Sequence, residues 1–223
     1  MTSGCSADRS GWTGKHAYGS RTRFAAGFYD FRNVSGTRNS LQSNLLDFTA
    51  PPYLSRGNTV FDIRNDNDTS TNLFALAADY SLFNVSLSHD WHIGTRQHVV
   101  FAADYVRNVG YDGKKVLART GTYVSRRDAG YQAEIGVGST VMNQAGAWRA
   151  SVGYRYVQRD AVLDAFTDSD FRLGGTDNKG FTLGLDYSFT SAVMARVKYL
   201  SGNEIDGPPL TINVVQLDIT ASF

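Results

Sequence analysis

From Phe74 to the end of the chain, apolar and polar residues alternate with a period of two, the spacing of a pleated strand rather than a helix. Phe74, Leu76, Ala78, Tyr80 and Leu82 oppose Ala75, Ala77, Asp79 and Ser81. Val99, Phe101, Ala103 and Tyr105 oppose His98, Ala102 and Asp104, and Tyr131, Ala133, Ile135 and Val137 oppose Gln132, Glu134, Gly136 and Gly138. The code returns in Trp148–Tyr156 with Arg149 and Arg155 on the polar parity, in 181–189 with Asp186, and in 193–199 with Arg196 and Lys198. It closes with Val215, Leu217, Ile219, Ala221 and Phe223 against Gln216, Asp218 and Thr220. Upstream, residues 23–31 read as a further strand and 33–68 as a long loop. Residues 72–93 read as one long strand whose outward parity changes from even (Tyr80, Leu82) to odd (Val85, Leu87, Trp91), which predicts a bulge near Phe83 and Asn84. The expected total is about eight antiparallel strands.

A soluble sandwich or barrel alternates in the same way. Three features favour a transmembrane barrel. Aromatic residues on the apolar parity stand near strand ends (Tyr80, Tyr105, Tyr131, Trp148, Tyr156, Phe181, Phe189, Tyr199), where interfacial girdles belong. The opposite parity is rich in Gly, Ser, Thr and Ala with charges of both signs, as a wetted lumen is. Connections alternate tight (94–96, 143–146, 190–191) with long (110–128, 161–179, 202–209), as periplasmic turns and external loops do. The expected organisation is a poorly structured segment 1–19 followed by one barrel domain, 20–223.

Composition narrows the functions. Lys plus Arg number 22 against 21 Asp plus Glu, a net charge of +1 that gives no footprint for nucleic acid. The single cysteine, Cys5, excludes an internal disulfide framework and a cysteine-rich zinc module. The longest uncharged apolar runs, such as 73–78, fall far short of the roughly 20 residues of a spanning helix, whereas a spanning strand needs only about 9–11. Small residues precede Cys5 without an apolar stretch before them, so no signal peptide is read.

Candidate chemistry is sparse. Asp164, Asp168 and Asp170 could bind calcium or act as acid and base, but an exposed or constriction-forming acidic loop is the simpler reading. Residues 65–70 lack the Gly and the closing Glu of a calcium loop, and Phe181 stands where a phosphate-binding loop after Gly174 needs its Lys. His16, His89, His92 and His98 show no H-E-x-x-H spacing, so no metal site is read. Ser86, Ser88 and His89 invite comparison with a barrel lipase, yet alternation points the serines and the histidine to opposite faces. No catalytic residue and no cofactor are expected. Asp79, Asp104, Glu134, Arg149, Arg155, Asp186, Arg196, Lys198 and Asp218 share the polar parity and are the candidate lumen-facing residues.

Four stretches carry a resemblance: 56–63 (RGNTVFDI), 76–80 (LAADY), 104–111 (DYVRNVGY), and the run from Trp148 (WRASVGYRYVQRDAVLDAFTDSDFRLGGTDNKGF) through YLSGNEIDGPPL to QLDITASF. Together, from about Ala26 to Phe223, they closely resemble the putative porin family of Gram-negative outer membranes. The resemblance implies an outer-membrane β-barrel in the bacterial cell outer membrane, with this chain matching the C-terminal part of a longer family member. It implies passive diffusion of small hydrophilic solutes; a non-conducting structural or adhesive barrel, binding partners through its external loops, is the alternative. Expected partners are outer-membrane lipid and lipopolysaccharide, the barrel-insertion machinery through a C-terminal signal ending at Phe223, and a second copy in a homo-oligomer.

Overall fold

The computed structural model describes residues 3–16, 19–93, 96–207 and 209–222. Among these are eleven strands: β1 (Gly4–Lys15), β2 (Arg21–Arg32), β3 (Val60–Asp62), β4 (Phe74–Leu76), β5 (Tyr80–Ile93), β6 (Gln97–Asn108), β7 (Ala129–Gly138), β8 (Trp148–Val157), β9 (Asn178–Ser188), β10 (Val193–Glu204) and β11 (Ile212–Ala221). Nine form one antiparallel sheet in the order β1-β2-β5-β6-β7-β8-β9-β10-β11, and β3 pairs with β4 in a small sheet of its own. The protein is all-β and antiparallel, as the alternation predicts, with one short helix. The large sheet is open, with β1 and β11 at its edges.

Register explains why two faces emerge. Directly opposed residues share a face, so the outward parity of one strand propagates to the next. Tyr105 faces Tyr131, which faces Tyr156, and Val152 faces Leu183, which faces Tyr199, which faces Val215. On this apolar face no described segment covers the side chains: Leu185 is 51% exposed, Leu217 68% and Ile219 72%. Aromatic contacts run across and along the strands there, with Tyr131 stacked on Tyr156 of the next strand at 5.3 Å and Phe189 edge-on to Tyr187, two residues before it, at 5.1 Å.

The buried core lies elsewhere. Phe61, Ile63, Ala75, Leu76, Tyr80, Leu82, Tyr111, Val116 and Leu163 form one cluster, drawn chiefly from the connections rather than from the sheet. Val116 reaches it from α1 (Gly113–Thr120), which starts at Asp112, whose carboxylate accepts from the Lys114 N–H at 2.8 Å, and ends at the left-handed Gly121.

Two expectations are corrected. Residues 72–93 are not one strand. Phe74–Leu76 is β4, paired with β3, while β5 begins at Tyr80 and pairs without interruption, from Tyr80 opposite Phe31 to Asp90 opposite Arg21, and from Leu82 opposite Asn108 to Ile93 opposite Gln97. No residue is inserted at Phe83 or Asn84. The apparent change of parity arises because Tyr80 and Leu82 stand on the polar side, where the long connections bury them to 1% and 7% exposure. Tyr80 is therefore no girdle residue.

The second correction is at the N-terminus. Residues 4–15, expected to have little structure, form β1 and pair with β2 across twelve positions, from Gly4 opposite Arg32 to Lys15 opposite Arg21. Ser6, Asp8, Ser10 and Trp12 stand on the side that continues the apolar face, so β1 carries no hydrophobic alternation and is held by backbone pairing. The strand count of the sheet is nine rather than eight.

Candidate functional site

Charge from six adjacent strands, β6 to β11, converges on the polar face. The register aligns Ser86 with Asp104 and Gln132, then Arg155; Arg149 with Asp186, Arg196 and Asp218; and Gly184 with Lys198 and Gln216. Asp104, Glu134, Arg149, Arg155, Asp186, Arg196, Lys198 and Asp218 thus share one side of the sheet. Neighbouring strands pair their charges: Arg196 grips Asp186 through Nε at 2.6 Å and Nη2 at 3.1 Å, and Arg149 Nη2 lies 3.3 Å from Glu134 Oε1. Such exposed pairs contribute only about 0–1 kcal/mol each. Their weight is electrostatic patterning, because they fix where each sign of charge sits. Lys198 makes no ion pair among the described residues.

Asp79 is the exception. It lies outside the sheet, just before β5, and accepts hydrogen bonds from the Ser35 hydroxyl at 2.6 Å, Lys115 Nζ at 2.7 Å and Arg119 Nη1 at 2.9 Å. Burial alone would raise its pKa, but the bonds from Lys115, Ser35 and Arg119 hold it down at about 2. Phe223 lies outside the described residues, as do Gly94 and Thr95 of the tight turn between β5 and β6.

Four long connections (33–79, 109–128, 158–177 and 205–211) leave the same end of the sheet and are bound into one assembly. Asp160, wholly buried, accepts from the Thr59 N–H at 2.9 Å, the Thr59 hydroxyl at 2.6 Å and the Tyr80 hydroxyl at 3.2 Å. Burial pushes its pKa up against the lowering effect of those bonds. The Asn58 amide donates to the Arg159 and Val162 carbonyls at 2.6 and 2.9 Å, and Asn58 Oδ1 accepts from the Asp164 N–H at 2.7 Å. Arg127 and Arg159 both bind Asp206. Two glycines permit the closest approach: a Cβ on Gly175 would stand 2.0 Å from the Arg56 carbonyl oxygen, and one on Gly57 would stand 2.4 Å from that of Thr176. Both have positive φ, 83° and 107°, where glycine is at ease.

One of these connections, 158–177, folds back over the polar face. The Arg155 guanidinium lies 5.3 Å from the Phe171 ring centroid, and a Cβ on Gly202 would touch the Phe171 ring at 3.2 Å. Asp168 and Phe171 bound a cavity of about 290 Å³ together with Asp104, Glu134, Arg155 and Lys198. Of the three acidic loop residues, Asp164 is committed to the assembly, accepting from the Ser55 N–H. Asp170 donates its N–H to Asp168 Oδ1 at 3.0 Å in a local turn, and Asp168 faces the cavity. In the stretch 65–70, Asp66 and Asp68 likewise accept bonds from their own turn.

Ser86 donates to Asp104 Oδ1 at 2.5 Å on the polar face, whereas His89 Nδ1 meets the Thr22 hydroxyl at 2.7 Å on the other. The alignment of Ser86 and His89 into a nucleophile and base is thereby absent. A cluster that H-x-x-x-H arithmetic misses is Asp90, His92 and His98, which come together at the tight-turn end of β5 and β6. Its signal is the hairpin itself: alternation puts Asp90 beside His92, and a short turn folds His98 back opposite His92.

Residues 7–223 match the family model described as putative porin. The chain belongs to the putative porin family. The family covers the strand wall and all four long connections, and it points to the outer membrane. No curated protein and no solved structure matches the chain. Among the described residues no helix is long and apolar enough to cross a membrane, which has no bearing on crossing by strands.

Proposed function

We propose that this member of the putative porin family is a porin-like outer-membrane channel through which small hydrophilic solutes diffuse passively, without cofactor or catalytic step. The observation that carries the reading is the division of the sheet. One face is apolar and uncovered by protein, as a lipid-facing wall must be, while the other holds charge from adjacent strands and a loop that narrows the space above it. The apolar face is then the contact for outer-membrane lipid and lipopolysaccharide, and the four long connections face outward from the cell. Fixed charges of both signs around Arg155, Asp168 and Lys198 set a transverse field on a permeating solute.

Planar-bilayer recording of the refolded chain tests this: discrete conductance steps are expected. Converting Arg155, Arg196 and Lys198 together to Glu is expected to shift the reversal potential under a salt gradient towards cation selectivity. Preserved conductance with an unchanged potential would remove these side chains from the permeation path. The packed loop assembly over the polar face favours the second reading, a non-conducting barrel that binds partners through its loops, and that reading predicts no steps at all.

A further inference from the structure

At the end of the sheet away from the loop assembly, Asp90 and His92 stand two residues apart on β5 and share the polar face, and His98 on β6 lies directly opposite His92. The His92 and His98 ring centroids are 4.1 Å apart, and His98 Nδ1 is 2.7 Å from Asp90 Oδ1. One ligand atom from each of the three lies within 4.8 Å of the others. We propose that Asp90, His92 and His98 form a binding site for one divalent transition-metal ion of the zinc type, clamping the β5–β6 hairpin close to its turn.

The donor set decides the class of ion. Two imidazole nitrogens and one carboxylate oxygen suit zinc, copper, nickel or cobalt, whereas calcium and magnesium prefer shells of oxygen alone. Metal–nitrogen bonds of about 2.0–2.1 Å set tetrahedral ligand atoms roughly 3.3 Å apart. The three atoms reach that spacing by side-chain rotation, because the strands beneath them are already paired in register on both sides of β5. The ion takes the place of the proton between His98 Nδ1 and Asp90 Oδ1, which moves to His98 Nε2 as the neutral ring changes tautomer, and the exposed flank of His92 leaves a coordination position for water. Arg21, opposite Asp90 on β2, makes no ion pair with it among the described residues, so that carboxylate's charge is not cancelled from there. Gly19 lies beside the His92 ring, which would stand 3.5 Å from a Cβ at that position. The other two histidines form a separate pair: His16 and His89 stack at 5.7 Å and share the Thr22 hydroxyl, with His89 on the apolar face.

The site is tested by calorimetric titration of zinc chloride into the full chain, refolded in detergent and stripped with chelator. One equivalent is expected to bind with a dissociation constant at or below about 10 µM. His92→Ala, His98→Ala and Asp90→Asn are each expected to weaken it by at least about tenfold, and His16→Ala and His89→Ala to leave it unchanged. Cobalt(II) is expected to displace zinc and give the intense visible bands of a four-coordinate site, and magnesium is expected not to compete. Heat-modifiable migration in electrophoresis verifies that each variant is folded, and His92→Gln or His98→Gln, which keep a polar side chain at the same position, replaces the corresponding alanine variant if that one is not. Absence of zinc binding, binding indifferent to His92 and His98, or binding lost with His16 or His89 would each overturn the proposal.

Discussion

Leu185 in the middle of β9 and Ile63 in the connection between β2 and β5 are both aliphatic, yet Leu185 is 51% exposed and Ile63 is 0% exposed. The wall leaves its apolar residues uncovered by the described chain. The loop assembly covers its own, with a core around Ile63, Tyr80 and Val116 and a buried carboxylate, Asp160, at the centre of its hydrogen bonds. On the proposed reading, the contrast is that of two solvents acting on one chain. The loop end is organised by water, which drives apolar groups inward. The proposed surroundings of the wall are a lipid medium, in which backbone groups must pair and apolar side chains have no reason to hide.

The sharpest way to break that comparison is to put the same charge on both faces of the wall. Leu185→Arg is expected to cost about 2–4 kcal/mol in a bilayer, while Ser151→Arg, between Gly136 and Gly184 in the register and near Glu134 and Asp186, costs little. Folding in lipid vesicles compares them, and equal stability would mean that no lipid covers Leu185. Next in size is the loop core. Asp160→Ala strands the Thr59 and Tyr80 donors, with an expected loss of about 1–3 kcal/mol confined to the loop end. Limited proteolysis is expected to cut within 33–79 or 158–177 while heat-modifiable migration of the wall persists. Loss of both together would show that the two regions fold as one unit.

The smallest effect separates them by acid. Asp79 has its pKa lowered from 3.8 to about 2, so its bonds to Lys115, Ser35 and Arg119 contribute stability above pH 3.8 that is lost as pH falls towards 2. Asp160 shifts the other way and adds no such loss. Loop protection from an acid-active protease is therefore expected to fall between pH 4 and pH 2 while strand circular dichroism is unchanged. Asp79→Asn is expected to shrink the step to the smaller part that Asp66 and Asp68, also lowered by their turn hydrogen bonds, contribute, and an undiminished step in that variant would assign it to another group.

Much of the wall is legible in the sequence, and the reason is local. A pleated strand sends successive side chains to opposite faces whatever surrounds it, so alternation alone groups Arg149, Asp186, Arg196 and Asp218 and separates them from Leu185 and Val152. β1 escapes this reading because it has no alternation: backbone pairing with β2 specifies it, and backbone groups leave no mark on residue type. The metal-competent cluster escapes as well, since its members meet across a hairpin rather than along a helix.

What the sequence by itself determined is the face to which the residues of β6–β11 point, together with the class of fold. What only the tertiary structure decided is what lies over each face. Tyr80 and Leu82 keep an apolar code on the polar side because the connections between strands pack there, and Asp79 belongs to Lys115 and Arg119 rather than to the wall. Asn58 and Asp160 meet the same assembly from about a hundred residues apart. Alternation is a two-residue property of the backbone, whereas burial depends on which distant segment arrives to exclude water, and no local pattern encodes that arrival.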